Sequence, residues 1–418
     1  MQPITAALVG AGNRGTEAYA PYSLIHPEQL RFTAVCEPDF ERRRRFQEIF
    51  ELPSKICFDS FENFIQLPKM ADVVFICTQD KMHFVHTMEC LKKGYHVLLE
   101  KPMSPNIKEC ILMAEEAEKQ KRLLIVCHVL RYTSFFKGIK NILDSGKIGQ
   151  LISIAHNENV GYFHQAHSFV RGNWNKKEET SPMILAKCCH DMDILHWLAG
   201  SKCKNISSFG ELTHFKKENA PEGAPKRCLD GCPHSETCLY YAPNQYLTDN
   251  VGWPTSVISV DTSYKAREKA LKTGDYGRCV YHCDNDVVDH QVVNMEFENS
   301  VTVAFTMSAF TEECSRTIKL MGTKGEIRGN MEKNLLEISY FDKTKETEPV
   351  AVAEASSGHG GGDFGLMNEF VSLINGQGEQ ASTTADASVH SHLMAFAAET
   401  ARCENRVVNL NDFKNSIG

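Results

Sequence analysis

The chain has 418 residues, 42% hydrophobic and 23% charged, which suits two or three globular domains better than a single core. Its formal net charge of -8 argues against a phosphate-backbone partner, because nucleic-acid binding needs a basic footprint, and the basic run at 42–45 reads as a solvated helix face. No apolar run is long enough to span a bilayer, and Met1 to Pro3 leads into a strand with no leader pattern, so no membrane partner and a cytoplasmic location are expected.

In chain order, residues 4–9, 31–36, 72–77, 96–99 and 123–127 are continuous apolar runs separated by helix-length segments, with a clear amphipathic helix at 109–121. Such runs describe a parallel sheet buried on both faces. After about residue 128 the texture changes. Strand patterns at 151–158, 287–297, 301–306, 316–320 and 335–340 are separated by turn residues such as Asn299-Ser300 and Gly322 to Gly325, which favours antiparallel pairing. Residues 216–227 and 342–349 read as surface loops, and Gly358 to Gly362 as a glycine-rich loop before a helix at 364–374. The expected architecture is an α/β Rossmann domain at 1–128, followed by an α+β domain at 129–418 with a large, mostly antiparallel sheet. A cysteine-rich insertion falls at about 215–285.

The first strand runs into Gly10-Ala11-Gly12-Asn13-Arg14-Gly15. In this spacing the first glycine permits a tight turn, the second lets a pyrophosphate approach the backbone, and the third allows helix to pack on strand. Glu37 ends the second strand, where a carboxylate can accept from a ribose 2′-hydroxyl. That carboxylate would repel a 2′-phosphate, so NAD is expected over NADP unless Arg42 or Arg43 offsets the repulsion. Thr78 and His83 follow the run at 72–77 and can line the ligand crevice, with helix capping the competing reading for Thr78.

Glu100-Lys101-Pro102 ends the run at 96–99, which stands Lys101 over the crevice as a donor to a substrate oxygen. Residues 186–198 read as one helix that groups Lys187, His190 and Asp191 on one side, an arrangement suited to proton transfer. His164, His167, Ser168, Arg171 and Trp174 cluster just before it. An aromatic platform with imidazole and guanidinium donors suits a polyhydroxylated ring. His290, beside Asp289, and His359 have weaker claims on the same pocket.

The glycine turn, Glu100-Lys101-Pro102, His128 with Arg131-Tyr132, and the segment around His190 occur in the order found in the glucose–fructose oxidoreductase / inositol dehydrogenase / MocA family, which the chain resembles over nearly its whole length. The resemblance implies that Lys101 meets cofactor and substrate, with Glu100 and Arg131 in the cofactor site, and that His190 is an acid/base candidate. It implies an NAD-dependent oxidoreductase acting on a hydroxyl of a sugar, sugar derivative or cyclic polyol. Self-association to a homodimer or homotetramer follows by the same analogy. The chain departs from the family's sugar-alcohol dehydrogenases in having Ala186 four residues before His190, where they carry aspartate; Lys187 is the nearest polar substitute. That departure keeps open a glycoside-cleaving cycle through a transient keto-sugar, and a non-catalytic sensor of dinucleotide or sugar stands as a further alternative.

Sixteen cysteines are many, yet most occupy core-like positions. Cys228, Cys232, Cys238 and Cys279, with Cys283 in reserve, have a spacing that can chelate a soft cation, and structural zinc is the leading expectation.

Overall fold

The computed structural model describes residues 2–344, 346–352, 359–377 and 381–417, so Gly358 of the expected loop lies outside the described residues. Strands β1 (Ile4–Val9), β2 (Leu30–Cys36), β3 (Cys57–Phe58), β4 (Val73–Ile76), β5 (His96–Leu99) and β6 (Leu124–Val126) form one sheet, ordered β3-β2-β1-β4-β5-β6. Every neighbouring pair is parallel. Both faces are covered, which is why these strands carry almost no polar residues. Strand order reverses at β1, so a crevice opens beyond the carboxyl ends of β1 and β4, where sheets of this kind take ligands. The helix expected at 109–121 is present as Ile107–Gln120, capped by the Asn106 side chain, which accepts from the Lys108 amide.

The second sheet has nine strands. They are β7 (Leu151–Asn159), β8 (Cys203–Glu211), β9 (His290–Phe297), β10 (Thr302–Ser308), β11 (Ser315–Gly322), β12 (Gly325–Asn330), β13 (Leu335–Tyr340), β14 (Glu348–Pro349) and β15 (Val408–Asn409). Their order is β14-β13-β12-β11-β7-β10-β9-β8-β15. Pairing is antiparallel except for β10 against β7. The hairpin expected at Asn299-Ser300 joins β9 to β10. The succession from β10 to β11 does not continue it, because β7 lies between them. Hydrophobic alternation marks a strand and its buried face but not its partner.

One face of this sheet packs on the main core, which includes Ile154, Phe305, Ile194 and Leu195. On the other face Phe209 and Val292 lie opposite each other in register and are exposed. Two C-terminal helices return to the first sheet. Gly362–Ile374 places Leu366, Met367 and Phe370 against β1 and β4 side chains, and Ala385–Glu404 places Val389 and Leu393 in the cluster on the other face. The segment between β8 and β9 holds one small cluster of its own around Tyr246 and Leu271, and Phe215 and Tyr240 pack in a second with Ala166, Val170 and Ala309. No helix among the described residues is long and apolar enough to cross a membrane.

Candidate active site

The turn after β1 is built as its glycines require. Gly10 has φ +96°, and a Cβ there would sit 2.6 Å from the Cys77 carbonyl oxygen. A Cβ on Gly15 would collide with the Gly10 carbonyl oxygen, so this glycine permits the close packing of helix on strand. At Gly12 a Cβ would meet nothing within 4 Å. The first and third glycines are thus demanded by protein, while the second faces open space of the kind a diphosphate fills. Asn13 beside it is exposed. The Glu37 carboxylate is buried at the end of β2, where Oε2 accepts from the Ala11 amide at 2.7 Å and Oε1 from the Asp39 amide at 3.0 Å. Two amides fix the carboxylate beside the turn and leave lone pairs for a ribose hydroxyl. The glycine cradle and this acceptor fit an adenine dinucleotide.

Arg14 belongs to the turn, but its guanidinium is taken up by protein. It pairs with Glu100 at 2.6 Å and with Asp363 at 2.7 Å, and also donates to the Tyr19 hydroxyl. Glu100 uses its other oxygen to accept from the Lys101 amide at 2.8 Å. Despite full burial, the charges of Arg14 and Lys101 hold its carboxyl below the usual range. Glu100 and Arg14 therefore brace the turn and the Lys101 backbone. His83 lies between the carbonyls of Pro102 (2.7 Å from Nδ1) and Thr78 (3.0 Å from Nε2), in the loops after β5 and β4, and its one ring N–H donates to one of them, while the Thr78 hydroxyl lies 3.2 Å from His86 Nδ1. Arg131 is buried in a two-point pair with Asp193, both bonds 2.6 Å.

Beyond the turn, the Lys101 ammonium donates to the Ala186 carbonyl at 3.0 Å. The single helix expected at 186–198 is two helices, Met183–Ala186 and Cys189–Ala199, with Lys187 and Cys188 at the break. That break turns Lys187 toward Glu158, at 3.1 Å, instead of stacking it on the His190 face. Asp191 is fully buried and belongs to the same ion-paired layer. It meets Arg316 Nε at 2.9 Å and His156 at 2.8 Å, and Arg316 pairs with Glu158 at 2.6 Å. Asp191, expected as a substrate contact, is thus spent within the protein; Arg316 and Glu158 are the partners that sequence reasoning missed.

The imidazoles form a different grouping. His190 lies between His128, 5.9 Å away by ring centroids, and His359, at 6.2 Å. Neither nitrogen of His128 has a hydrogen-bond partner among the described residues, nor has Nδ1 of His190, although both residues are buried. Burial, aided by the charges of Lys101 and of neighbouring histidines, lowers His190 well below the usual range. His164 is lowered likewise, by burial first and then by Lys187 and His167.

The remaining candidates separate from this cluster. His164 faces Trp253 with ring centroids 4.9 Å apart, which brings an edge of the insertion to the site. His167 bonds the Tyr246 hydroxyl at 2.8 Å and stacks on Tyr276. Arg171 is buried, donating to the carbonyls of Arg278 (2.7 Å) and Tyr240 (2.6 Å), so both serve the insertion and not a sugar. Trp174 packs on the main core. His290 is corrected outright. It alternates with the buried residues of β9, lies on the uncovered sheet face beside Val292, and pairs with Asp289 at 2.9 Å.

The zinc expectation is corrected too. Among the described residues no group of three or more His, Cys, Asp or Glu is set to hold a metal ion. Cys228, Cys232, Cys238 and Cys279 do line one small cavity, but Arg171 brings a cation to its wall, with Nη2 at 3.7 Å from Cys228 Sγ. Cys228 Sγ also accepts from the Ala242 amide at 3.5 Å, and Cys283 donates to the Cys279 carbonyl at 3.3 Å.

Two family profiles match the chain: the oxidoreductase family's NAD-binding Rossmann fold over residues 4–128, and its C-terminal alpha/beta domain over residues 140–410. The protein belongs to the Gfo/Idh/MocA oxidoreductase family. Among its relatives, "Putative oxidoreductase YteT" of Bacillus subtilis is 23% identical over 374 residues, covering 84% of this chain and 82% of that protein. Inositol 2-dehydrogenase of Salmonella typhimurium is 24% identical over 207 residues, 49% of this chain and 57% of the enzyme. The crystal structure of the WlbA dehydrogenase from Bordetella pertussis, in complex with NADH and UDP-GlcNAcA, superposes with a TM-score of 0.71 at 14% identity, covering 98% of each chain. The last likeness is one of fold.

Proposed function

We propose that this Gfo/Idh/MocA protein is an NAD(H)-dependent oxidoreductase acting on a hydroxyl of a sugar, sugar derivative or cyclic polyol. The observation that carries the reading is the meeting of Lys101 with a row of buried, incompletely bonded imidazoles just beyond a glycine turn that fits a diphosphate. When bound, the dinucleotide supplies a hydride acceptor. Lys101 then polarises the substrate oxygen and a histidine takes its proton. NAD is favoured over NADP by the buried Glu37 carboxylate, whose charge would meet a 2′-phosphate. Titrating the protein with each dinucleotide tests this preference. Incubation with NAD and a panel of free sugars, sugar acids, inositols and methyl glycosides tests the activity. Steady growth of absorbance from NADH supports net oxidation.

Ala186 favours a second reading, in which the keto-sugar is transient and a glycoside is cleaved with no net NADH. Release of methanol from a methyl glycoside without NADH growth selects it. Binding of NAD with no turnover across the panel selects a sensor. We further propose a homodimer or homotetramer that covers the open face around Phe209 and Val292; light scattering on the purified protein tests it.

A further inference from the structure

An imidazole that accepts a proton in a buried site needs an anion nearby, or the imidazolium it forms is uncompensated. His190 has none to hand. Asp191 is committed to Arg316 and His156, Asp193 to Arg131, and the position four residues before His190 offers only the Ala186 carbonyl, already bonded to Lys101. The groups whose charges press on His190 are Lys101, His128, His359 and Arg316, all cationic or capable of becoming so.

His359 is placed differently. Its Nδ1 lies 3.1 Å from Asp363 Oδ2 and 3.3 Å from Arg14 Nη1. One ring nitrogen cannot donate to the first and accept from the second. Asp363 is buried and held ionised by His359 and Arg14, and Arg14 has its own bond to Oδ1 at 2.7 Å, so the proton belongs on Nδ1, directed at Asp363. Nε2 is left with its lone pair. The ring is the neighbour of His190, yet its side chain keeps 40% exposure, so a solute can reach it. The backbone supports the same placement. His359 has φ +50°, a left-handed conformation that is strained for a non-glycine residue, and it leads into Gly360 at φ +62° and Gly361 at φ +82°. Arg14, from the dinucleotide turn, holds Asp363, so the cofactor cradle and this imidazole are braced by one side chain.

We propose that His359, oriented by Asp363, is the group that takes the proton of the substrate hydroxyl. The carboxylate absent at position 186 is thereby replaced by one from the C-terminal helix, set behind a different histidine. The inference rests on the oxidoreductase reading above. In the step, the O–H bond breaks with its proton passing to Nε2, and its electron pair forms the C=O bond. Hydride leaves the same carbon for NAD, the oxidant, which is reduced. Asp363 balances the imidazolium.

Two measurements test this. In protein labelled with [15N]histidine, read with and without added NAD, the ring signal lost in His359→Gln identifies His359. A neutral ring protonated on Nδ1, moving to the other tautomer in Asp363→Asn, is expected; protonation on Nε2 in the wild type overturns the proposal whatever the substrate. With a sugar from the panel that turns over, His359→Ala should lose about a hundredfold or more in kcat, with NAD affinity unchanged, and recover part of it when imidazole is added. Unchanged kcat in His359→Ala, or a loss that imidazole does not rescue, overturns it. A thermal melt of each variant separates misfolding from chemistry. Failure of the wild type to bind NAD would instead sink the oxidoreductase reading while leaving the tautomer result to stand.

Discussion

Two layers of polar side chains lie against each other beneath the second sheet, and they are built on opposite principles. In one, Asp191, Glu158, Arg316 and Lys187 answer each buried charge with an opposite one. In the other, His128 and His190 hold ring nitrogens in the interior with no partner among the described residues. Buried polar atoms are nearly always bonded, so an orphan atom needs a reason, while a paired one has already found it. The first layer is closed by its own charge pairs; the second keeps ring nitrogens that no described side chain claims. The two should therefore fail differently, the first by unfolding and the second by losing activity with the fold intact.

The largest effect is expected from Arg316→Met. It leaves Asp191 and Glu158 as buried carboxylates without their main counter-charge, at a cost of about 3–5 kcal/mol. Chemical denaturation should show an earlier midpoint, and an unfolding free energy within about 0.5 kcal/mol of wild type would dissolve the distinction between the layers. Next is Lys101→Met, which removes the ammonium facing the site while the buried Glu100 carboxylate keeps its pair with Arg14. Turnover should fall by about a hundredfold or more while the melting temperature holds. Parallel losses of both would place Lys101 in the structural layer instead.

The parallel sheet and its glycine turn were legible because each strand shows its own apolar run and the turn needs glycine at fixed offsets. The breaks came where tertiary pairing overrides local pattern. Lys187 shares a helical repeat with His190, but Glu158 on β7, 29 places earlier, holds it at a break between two helices. Arg171 and His167 look like sugar ligands in sequence, and only the folded insertion reveals that its carbonyls and Tyr246 claim them. The thiol spacing at 228–238 indicated proximity, and the cysteines do share a cavity; it held no information about the guanidinium on the cavity wall. His359 and Asp363 could have been paired from sequence, since they stand four apart at a helix start, yet Arg14 comes from 345 residues away.

Acid should sharpen the contrast at intermediate cost. Buried histidines near the orphan row favour the neutral ring: burial and neighbouring His128 lower His392 to about 3, and burial lowers His196 to about 4. In each case the folded value lies below the unfolded one of about 6.5, so the unfolded chain binds protons first. Their contribution is whole above about pH 6.5 and drains as pH falls toward the folded value. At about pH 5 each such ring costs about 2 kcal/mol, whereas the depressed Asp191 carboxylate begins to lose its contribution only below its unfolded value of about 4. His392→Gln should flatten the slope of denaturation midpoint against pH between about 7 and 5, because protonation of His392 breaks its bond to the Met103 amide. An unchanged slope would mean that His392 takes up its proton as readily in the folded chain as in the unfolded one.

The smallest effect belongs to the sheet's other side. His290 is an expected pocket histidine that lies on the sheet's uncovered face, with its side chain 45% exposed and its partner Asp289 already bonded by the amides of Thr213 and His214. His290→Ala therefore removes a half-exposed ring from the buried Asp289 carboxylate, which keeps the amides of Thr213 and His214 and the Thr213 hydroxyl as donors, so the loss should be about 1 kcal/mol or less. Activity and melting temperature should both match wild type at low protein concentration. A shift that appears only as concentration rises would place His290 under a second copy of the chain, while a fall in kcat at every concentration would return it to the pocket and undo the assignment of the two faces.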